Sequence, residues 1–319
     1  MPEIAWGWLI VNYLFLGGLS AGIFFVSALA TCLQGADAAG DQRIARYGAM
    51  LAPWPVAIGC LLLIFDLGNG LRFYKLFTHF RWESPMSIGS WLLALFSTVL
   101  LANFYAWLPA SARARAFARV PRRLRWLQRL DRDCAAWRRP LALAGFPLSL
   151  GVGIDTGVLL GAVQARPFWN TNLMAQMFLF SALSTGCAAL IFALSWNRKS
   201  LGDAQVRFLY ALDICCITIE FFVVLPYVIH GELSVQAVQE SLKLILGGPF
   251  TVTFWVFFLV LGLLLPVAVE VREMLPALRS RSCVHHNRPL AAATALLVLA
   301  GGYLLRYVFV YAGQISGYR

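Results

Sequence analysis

LFLGGLSAG, residues Leu14–Gly22, decides how this chain is read. It lies in the first apolar segment, just after Trp6, Trp8, Asn12 and Tyr13. Its pattern returns 164 positions later as FLFSALSTG, residues Phe178–Gly186, where Leu183-Ser184 answers Leu19-Ser20 and Gly186 answers Gly22. The same offset relates Ser84-Pro85 and Trp91, in SPMSIGSW, to Gly248-Pro249 and Trp255, in GPFTVTFW. A third pair, Asp155-Thr156-Gly157 with Gly161 against Tyr311-Ala312-Gly313 with Gly317, keeps order at a slightly shorter offset. The shortening is expected, because the loop before Asp155 is the longer one. One match would fit convergent use of small residues in membrane helices. Three in order argue for an internal duplication. Gly18 and Gly22, like Ala182 and Gly186, are small residues four apart, the spacing that lets helices approach closely in lipid.

Composition sets the solvent. Hydrophobic residues make up 60% of the 319 and charged residues 13%, which is the balance of an integral membrane protein. No basic stretch precedes the first apolar segment, so no cleaved signal peptide is expected. The net charge of +11 does not indicate nucleic acid, because the Arg is concentrated in one loop between apolar segments. The seven Cys are scattered without a CxxC pair, and none of the four His falls mid-segment. The chain is therefore expected to carry no haem, no iron–sulfur cluster and no metal of its own.

Eight segments are long enough to cross a bilayer, at about 6–32, 49–66, 85–107, 141–162, 171–196, 206–229, 247–269 and 289–315. Loops on one side carry 19 Lys and Arg and those on the other 6, with Arg306 inside the last segment. The positive-inside rule then puts both termini outside the cytoplasm, the periplasm for a bacterial inner membrane. The predicted fold is all-α, eight transmembrane helices forming two four-helix bundles related by a parallel repeat. Residues 1–107 supply the first three helices, 108–140 a basic cytoplasmic loop touching lipid head groups, 141–169 the fourth helix, and 170–319 the second bundle.

Ionisable groups at membrane depth cost a few kcal/mol each and point to function. They are Asp66, Asp155, Asp213, Glu220, Glu270 and Arg306. Counted from the cytoplasmic ends, Asp155, Glu220 and Arg306 fall just beyond the midplane, and Tyr13 and Asn12 approach that depth from the other face. Asp66 ends the second segment, and Asp213 lies two turns below Glu220. These groups predict a polar pocket for a lipid-soluble substrate that exchanges protons. The plainer reading is that Arg306 only neutralises Glu220 or Asp155. Glu270, beside Arg272, reads as an interfacial residue without a role.

YLFLGGLSAG, FDLGNGLRFYKLF (65–77), SPMSIGSW, RPFWN (166–170), FLFSALSTG and YVFVYAGQ (307–314) occur here in one order along the chain. As an ordered set they resemble the polysulfide reductase membrane-subunit family, also called the NrfD family, across essentially the whole length. The resemblance implies a quinol-handling subunit with no cofactor of its own. It implies a ferredoxin-like partner with four iron–sulfur clusters, feeding a molybdopterin reductase or a multihaem cytochrome on the outer side. It places quinone contacts at Tyr13 and Asp66, and it departs from the family at Asp155, where a Tyr is usual before the Thr-Gly.

On that resemblance menaquinol or ubiquinol, as an exchangeable substrate, meets Tyr13, Asn12, Asp155 and Arg306. Asp155, Asp66 and Glu220 handle protons, and Asp213 with Glu220 forms a proton path. Electrons leave to a partner docked on Arg72-Phe73-Tyr74-Lys75. Quinone reduction is the same chemistry reversed. A secondary transporter or proton-conducting protein would use the same charges without redox chemistry, and a purely structural anchor would not need the buried acids.

Overall fold

The computed structural model describes residues 6–33, 42–66, 81–113, 134–196, 203–280 and 287–316. Within them the fold is entirely helical, and eight helical spans are long and apolar enough to cross a membrane. Lipid offers no partner to a bare N–H or C=O, so each crossing closes its backbone hydrogen bonds internally. The spans run in order through α1 (Trp8–Leu33), α2 with α3 (Arg43–Leu51, Pro53–Asp66), α4 (Pro85–Trp107), α5 (Cys134–Gly161), α6 (Leu173–Trp196) and α7 (Asp203–Glu232). A short helix, α8 (Gln236–Leu246), follows. The seventh crossing is a π-type run (Thr253–Leu264) continuing as α9 (Leu265–Ser280), and α10 (Arg288–Ile315) is the eighth.

Local chemistry explains the irregular points. Pro53 and Pro55 lack the N–H that a continuous helix needs, so the second crossing is jointed between α2 and α3. There the Ser20 hydroxyl donates to the Ala52 carbonyl at 2.7 Å. Ser84 caps α4, its hydroxyl accepting from the Ser87 N–H, with Pro85 next. In the π-type run the Leu265 N–H reaches back five residues to the Val260 carbonyl. Gly262 in that run faces Gly301 of α10, and a Cβ added to either glycine would stand 2.7 Å from the other's Cα. The widened turn and this close approach occupy the same stretch, and neither was legible in the hydropathy of the segment.

α1 and α6 form the centre. α1 packs on α2, α3, α5 and α6, while α6 packs on α7, α10, α1 and α5. α4 lies on α5 as the π-type run lies on α10. The two halves thus share a neighbour pattern. Gly22 and Gly186, matched by the repeat, meet each other: a Cβ on Gly22 would come within 1.9 Å of the Ala182 carbonyl oxygen, and one on Gly186 within 2.2 Å of the Gly22 carbonyl carbon.

Trp6 and Gln314, near the two ends of the described residues, lie together on one face. The Trp6 N–H donates to Gln314 Oε1 at 2.8 Å, and Gln314 Nε2 donates back to the Trp6 carbonyl at 2.9 Å. Trp6 stacks on Trp169 at 5.2 Å, and Trp169 Nε1 donates to the Phe309 carbonyl at 2.7 Å. At the opposite face α5 begins at Cys134, seven residues before the predicted segment start at 141. Within that extension Arg138 donates to the Ala106 carbonyl and covers the Trp107 ring at 4.2 Å. Residues 134–140, expected in the basic loop, are therefore helix.

Candidate functional site

Asp155 stands six residues from the helix end at Gly161, about 9 Å at ~1.5 Å per residue. Tyr13 is five residues into α1 from the same face. The two come together: Tyr13 lies within electrostatic reach of Asp155 and of Cys60 on α3. Gly59 of α3 backs Tyr13, a Cβ there standing 3.6 Å from Tyr13 Cδ2. Gly89 of α4 backs Asp155, where a Cβ would stand only 2.4 Å from Oδ2. A larger residue at position 89 would displace the carboxyl, so the glycine is what makes room for it. Asp155 is half-buried and makes no hydrogen bond among the described residues. A phenol and a carboxyl with free capacity thus face one small-walled space between α1, α3, α4 and α5.

Arg306 belongs to a second centre. It is fully buried, with Nη1 donating to Ser181 Oγ of α6 and to the Gly302 carbonyl of its own helix, both at 2.7 Å. Nη2 reaches the Phe178 carbonyl at 3.4 Å, and the guanidinium sits 5.3 Å from the Phe178 ring and 5.7 Å from that of Phe15. A Cβ on Gly18 would stand 3.0 Å from Nη2, so Gly18 clears space for this side chain as well as for packing. Glu220 is also buried and accepts from the Ser184 hydroxyl at 3.2 Å. Ser181, which accepts from Arg306, stands beside the same carboxyl and links the two charges. Of the two acids that Arg306 was expected to neutralise, its electrostatic partner is Glu220.

The remaining predicted residues fall as follows. Asn12 donates to the Trp8 carbonyl of its own helix at 2.7 Å. Asp213 is fully buried on α7, below Glu220. Asp66 ends α3, and its side chain lies outside the described residues, as does the whole loop with Arg72, Phe73, Tyr74 and Lys75. The reading of Glu270 is corrected: it is 2% exposed and lies within hydrogen-bonding reach of Asp213. Glu273, missed in the sequence, is 6% exposed and accepts from the Tyr210 hydroxyl at 2.7 Å. The missed signal was spacing, because Glu270 with Glu273 and Tyr210 with Asp213 are each three apart and share a helix face.

Fold and site together define a multi-pass, all-helical membrane protein with polar groups gathered inside its helix bundle. The chain belongs to the polysulphide reductase NrfD family, whose model matches residues 1–316. It is 32% identical over 314 residues to a polysulfide reductase chain of Wolinella succinogenes, spanning 98% of this protein and 95% of that one. It is 26% identical over 291 residues to a selenate reductase subunit of Mesobacillus selenatarsenatis, spanning 82% and 66%. It is 24% identical over 278 residues to an Hdr-like menaquinol oxidoreductase integral membrane subunit of Archaeoglobus fulgidus, spanning 84% and 62%. These relatives are named as parts of larger reductases and oxidoreductases, so the protein is of the kind that works within an oxidoreductase complex.

Proposed function

We propose that this chain is the quinol-oxidising membrane subunit of a respiratory oxidoreductase in a bacterial inner membrane, with both termini periplasmic. The convergence of Tyr13 and Asp155 beside Gly59 and Gly89 carries the reading. A quinol entering sideways from the lipid presents two hydroxyls on a flat apolar ring. The Tyr13 phenol and the Asp155 carboxyl each offer a hydrogen bond to such a hydroxyl, and the carboxyl also accepts a proton as electrons leave. Asp66, at the end of α3, would receive protons at the same face.

Electrons pass to an iron–sulfur partner, of four clusters in the family pattern, docked on the outer loops around residues 72–75. From there they reach a terminal molybdopterin or multihaem reductase. The menaquinol named in the Archaeoglobus protein supports the substrate class, and the reductase names of the others support the partner class. Menaquinone or ubiquinone is substrate here, not a resident group. Arg306, held by Ser181 and Phe178 of α6 and by Gly302 of its own helix, shapes the centre around Glu220 instead of touching the quinol.

The test is Asp155→Asn in the assembled complex, assayed by quinol oxidation with an artificial acceptor. Because Arg306 is partnered elsewhere, the substitution orphans no buried cation and the complex should assemble normally. Turnover should fall by roughly 10²–10⁴-fold, the loss expected when a proton-transferring group is removed. Unchanged turnover in an assembled Asp155→Asn complex would overturn the assignment.

A further inference from the structure

Three guanidinium groups from separate parts of the first half meet at the face where α5 begins, opposite Trp6 and Gln314. Arg138 lies in the first turns of α5. Its Nε donates to the Ala106 carbonyl at 3.1 Å, and its cation stands 4.2 Å from the centroid of the Trp107 ring. Arg46 of α2 and Arg113, just past the end of α4, are its charged neighbours. The helices that carry them are packed together, α2 on α4 and α4 on α5. Arg46 is exposed, and Arg113 and Arg138 are half-buried. Among the described residues no carboxylate is a charged neighbour of Arg138. Nor do its Nη nitrogens or the guanidinium of Arg46 have a hydrogen-bond partner there.

Like charges this close repel, and an anion between them relieves the repulsion. The bond from Nε leaves both Nη groups of Arg138 as donors, a fork that matches two oxygens of a phosphate. The Ala106 carbonyl and the Trp107 ring hold that fork in place before any ligand arrives, which lowers the ordering cost of binding. Position names the carrier of the phosphate. α2 begins, α4 ends and α5 begins at this level, where crossing helices meet the head groups of a bilayer. Trp137, next to Arg138, is 49% exposed, as indole rings are at a membrane–water boundary. Deeper in the bundle, Leu101 of α4 and Leu143 of α5 are 59% and 57% exposed, apolar surface for acyl chains to cover. A zwitterionic head group would bring a positive charge to the same spot, which three cations disfavour.

We propose that Arg46, Arg113 and Arg138 form a binding site for the phosphate of an anionic glycerophospholipid, with Trp107 as its platform. The bound lipid ties the start of α2, the end of α4 and the start of α5 to one another. The site uses neither quinol nor a partner subunit, so it stands or falls independently of the quinol reading.

The experiment is native mass spectrometry of the full chain in detergent with added phosphatidylglycerol, phosphatidylcholine or inorganic phosphate. Wild type should retain one phosphatidylglycerol with an affinity roughly tenfold above that for phosphatidylcholine. Arg46→Gln and Arg138→Gln should each weaken that retention about fivefold. Arg272→Gln, which removes an exposed cation of α9, should leave it unchanged. A photoreactive phosphatidylglycerol should label wild-type peptides that contain Arg46, Trp107 or Arg138; this arm needs no variant. Equal retention of the two lipids, or label confined to other peptides, would overturn the proposal. So would equal losses in Arg272→Gln and Arg138→Gln, which would mean general attraction to a basic face. Displacement of the lipid by millimolar inorganic phosphate would also overturn it, making this a site for free phosphate.

Discussion

Gly22→Ala should unseat the central helix crossing. A Cβ at this position lies 1.9 Å from the Ala182 carbonyl oxygen and 2.8 Å from its carbonyl carbon. Both are backbone atoms of a buried helix and cannot turn aside as a side-chain tip would. Restoring even a 3.0 Å contact requires α1 and α6 to part by about 1.1 Å, the difference between 3.0 and 1.9 Å. A gap of that size forfeits about a quarter to a half of the dispersion energy of each contact along the crossing. Lipid supplies no hydrophobic drive between helices to offset the loss, so packing is most of what holds this pair. Overpacking of this kind costs about 1–3 kcal/mol, which lowers the folded-to-unfolded ratio roughly 5- to 160-fold. The assay is reversible unfolding of the purified chain by graded SDS in mixed micelles, read by circular dichroism or tryptophan emission. Gly17→Ala is the control, because a Cβ there meets nothing within 4 Å. If Gly22→Ala unfolds at the same SDS fraction as Gly17→Ala and wild type, the account of the crossing is wrong.

Two further outcomes follow from contacts at the polar centres. Gly89→Ala places a methyl 2.4 Å from Asp155 Oδ2 and pushes that carboxyl aside; the chain should fold, while quinol oxidation in the complex falls at least tenfold. Arg306→Gln leaves Glu220 buried without its cation and should cost about 3–5 kcal/mol in the same SDS titration, with Arg306→Lys intermediate because it keeps the charge but loses the fork whose Nη1 serves Ser181 and Gly302 and whose Nη2 reaches Phe178.

The eight crossings and the importance of the repeated glycines were legible because lipid makes strict demands. A crossing needs about 20 apolar residues, and small residues four apart mark contacts. What the repeat could not say is which helix each glycine touches. That Gly22 meets its own counterpart Gly186 follows from where the two halves join, a tertiary fact. Asp155 was found by its place in an apolar segment, but the start of its helix was not, because Cys134–Arg139 read as loop. Pro140 and the dense arginines hid a helix that starts earlier. Glu270 was misread for a geometric reason. Its sequence neighbour Arg272 is exposed, but residues two apart on a helix point about 200° away from each other, so an exposed Arg272 implies an inward Glu270. The three-residue spacing of Glu270 and Glu273 carried the information that proximity in sequence obscured.

The halves differ in complementary ways. The 164-residue offset matches Tyr13 to Met177, Asp213 to Ala49 and Glu220 to Val56. The space that Tyr13 lines in the first half is thus filled in the second by a fully buried thioether. Beyond it Phe168, Tyr227 and Phe309 pack together, with rings 5.2 to 5.8 Å apart and the Tyr227 hydroxyl donating to the Phe168 carbonyl. That aromatic plug stands between Arg306 and the face bearing the termini. Conversely, the positions that hold buried acids in the second half carry apolar side chains in the first. Two halves with equal polar tracks would open a route through each. Tyr13 and Asp155 on one side and the buried acids of the second half on the other instead lie in separate places. The Gly22–Gly186 crossing, with Gly18 and Ser181 one turn away against Arg306, is where the two halves meet.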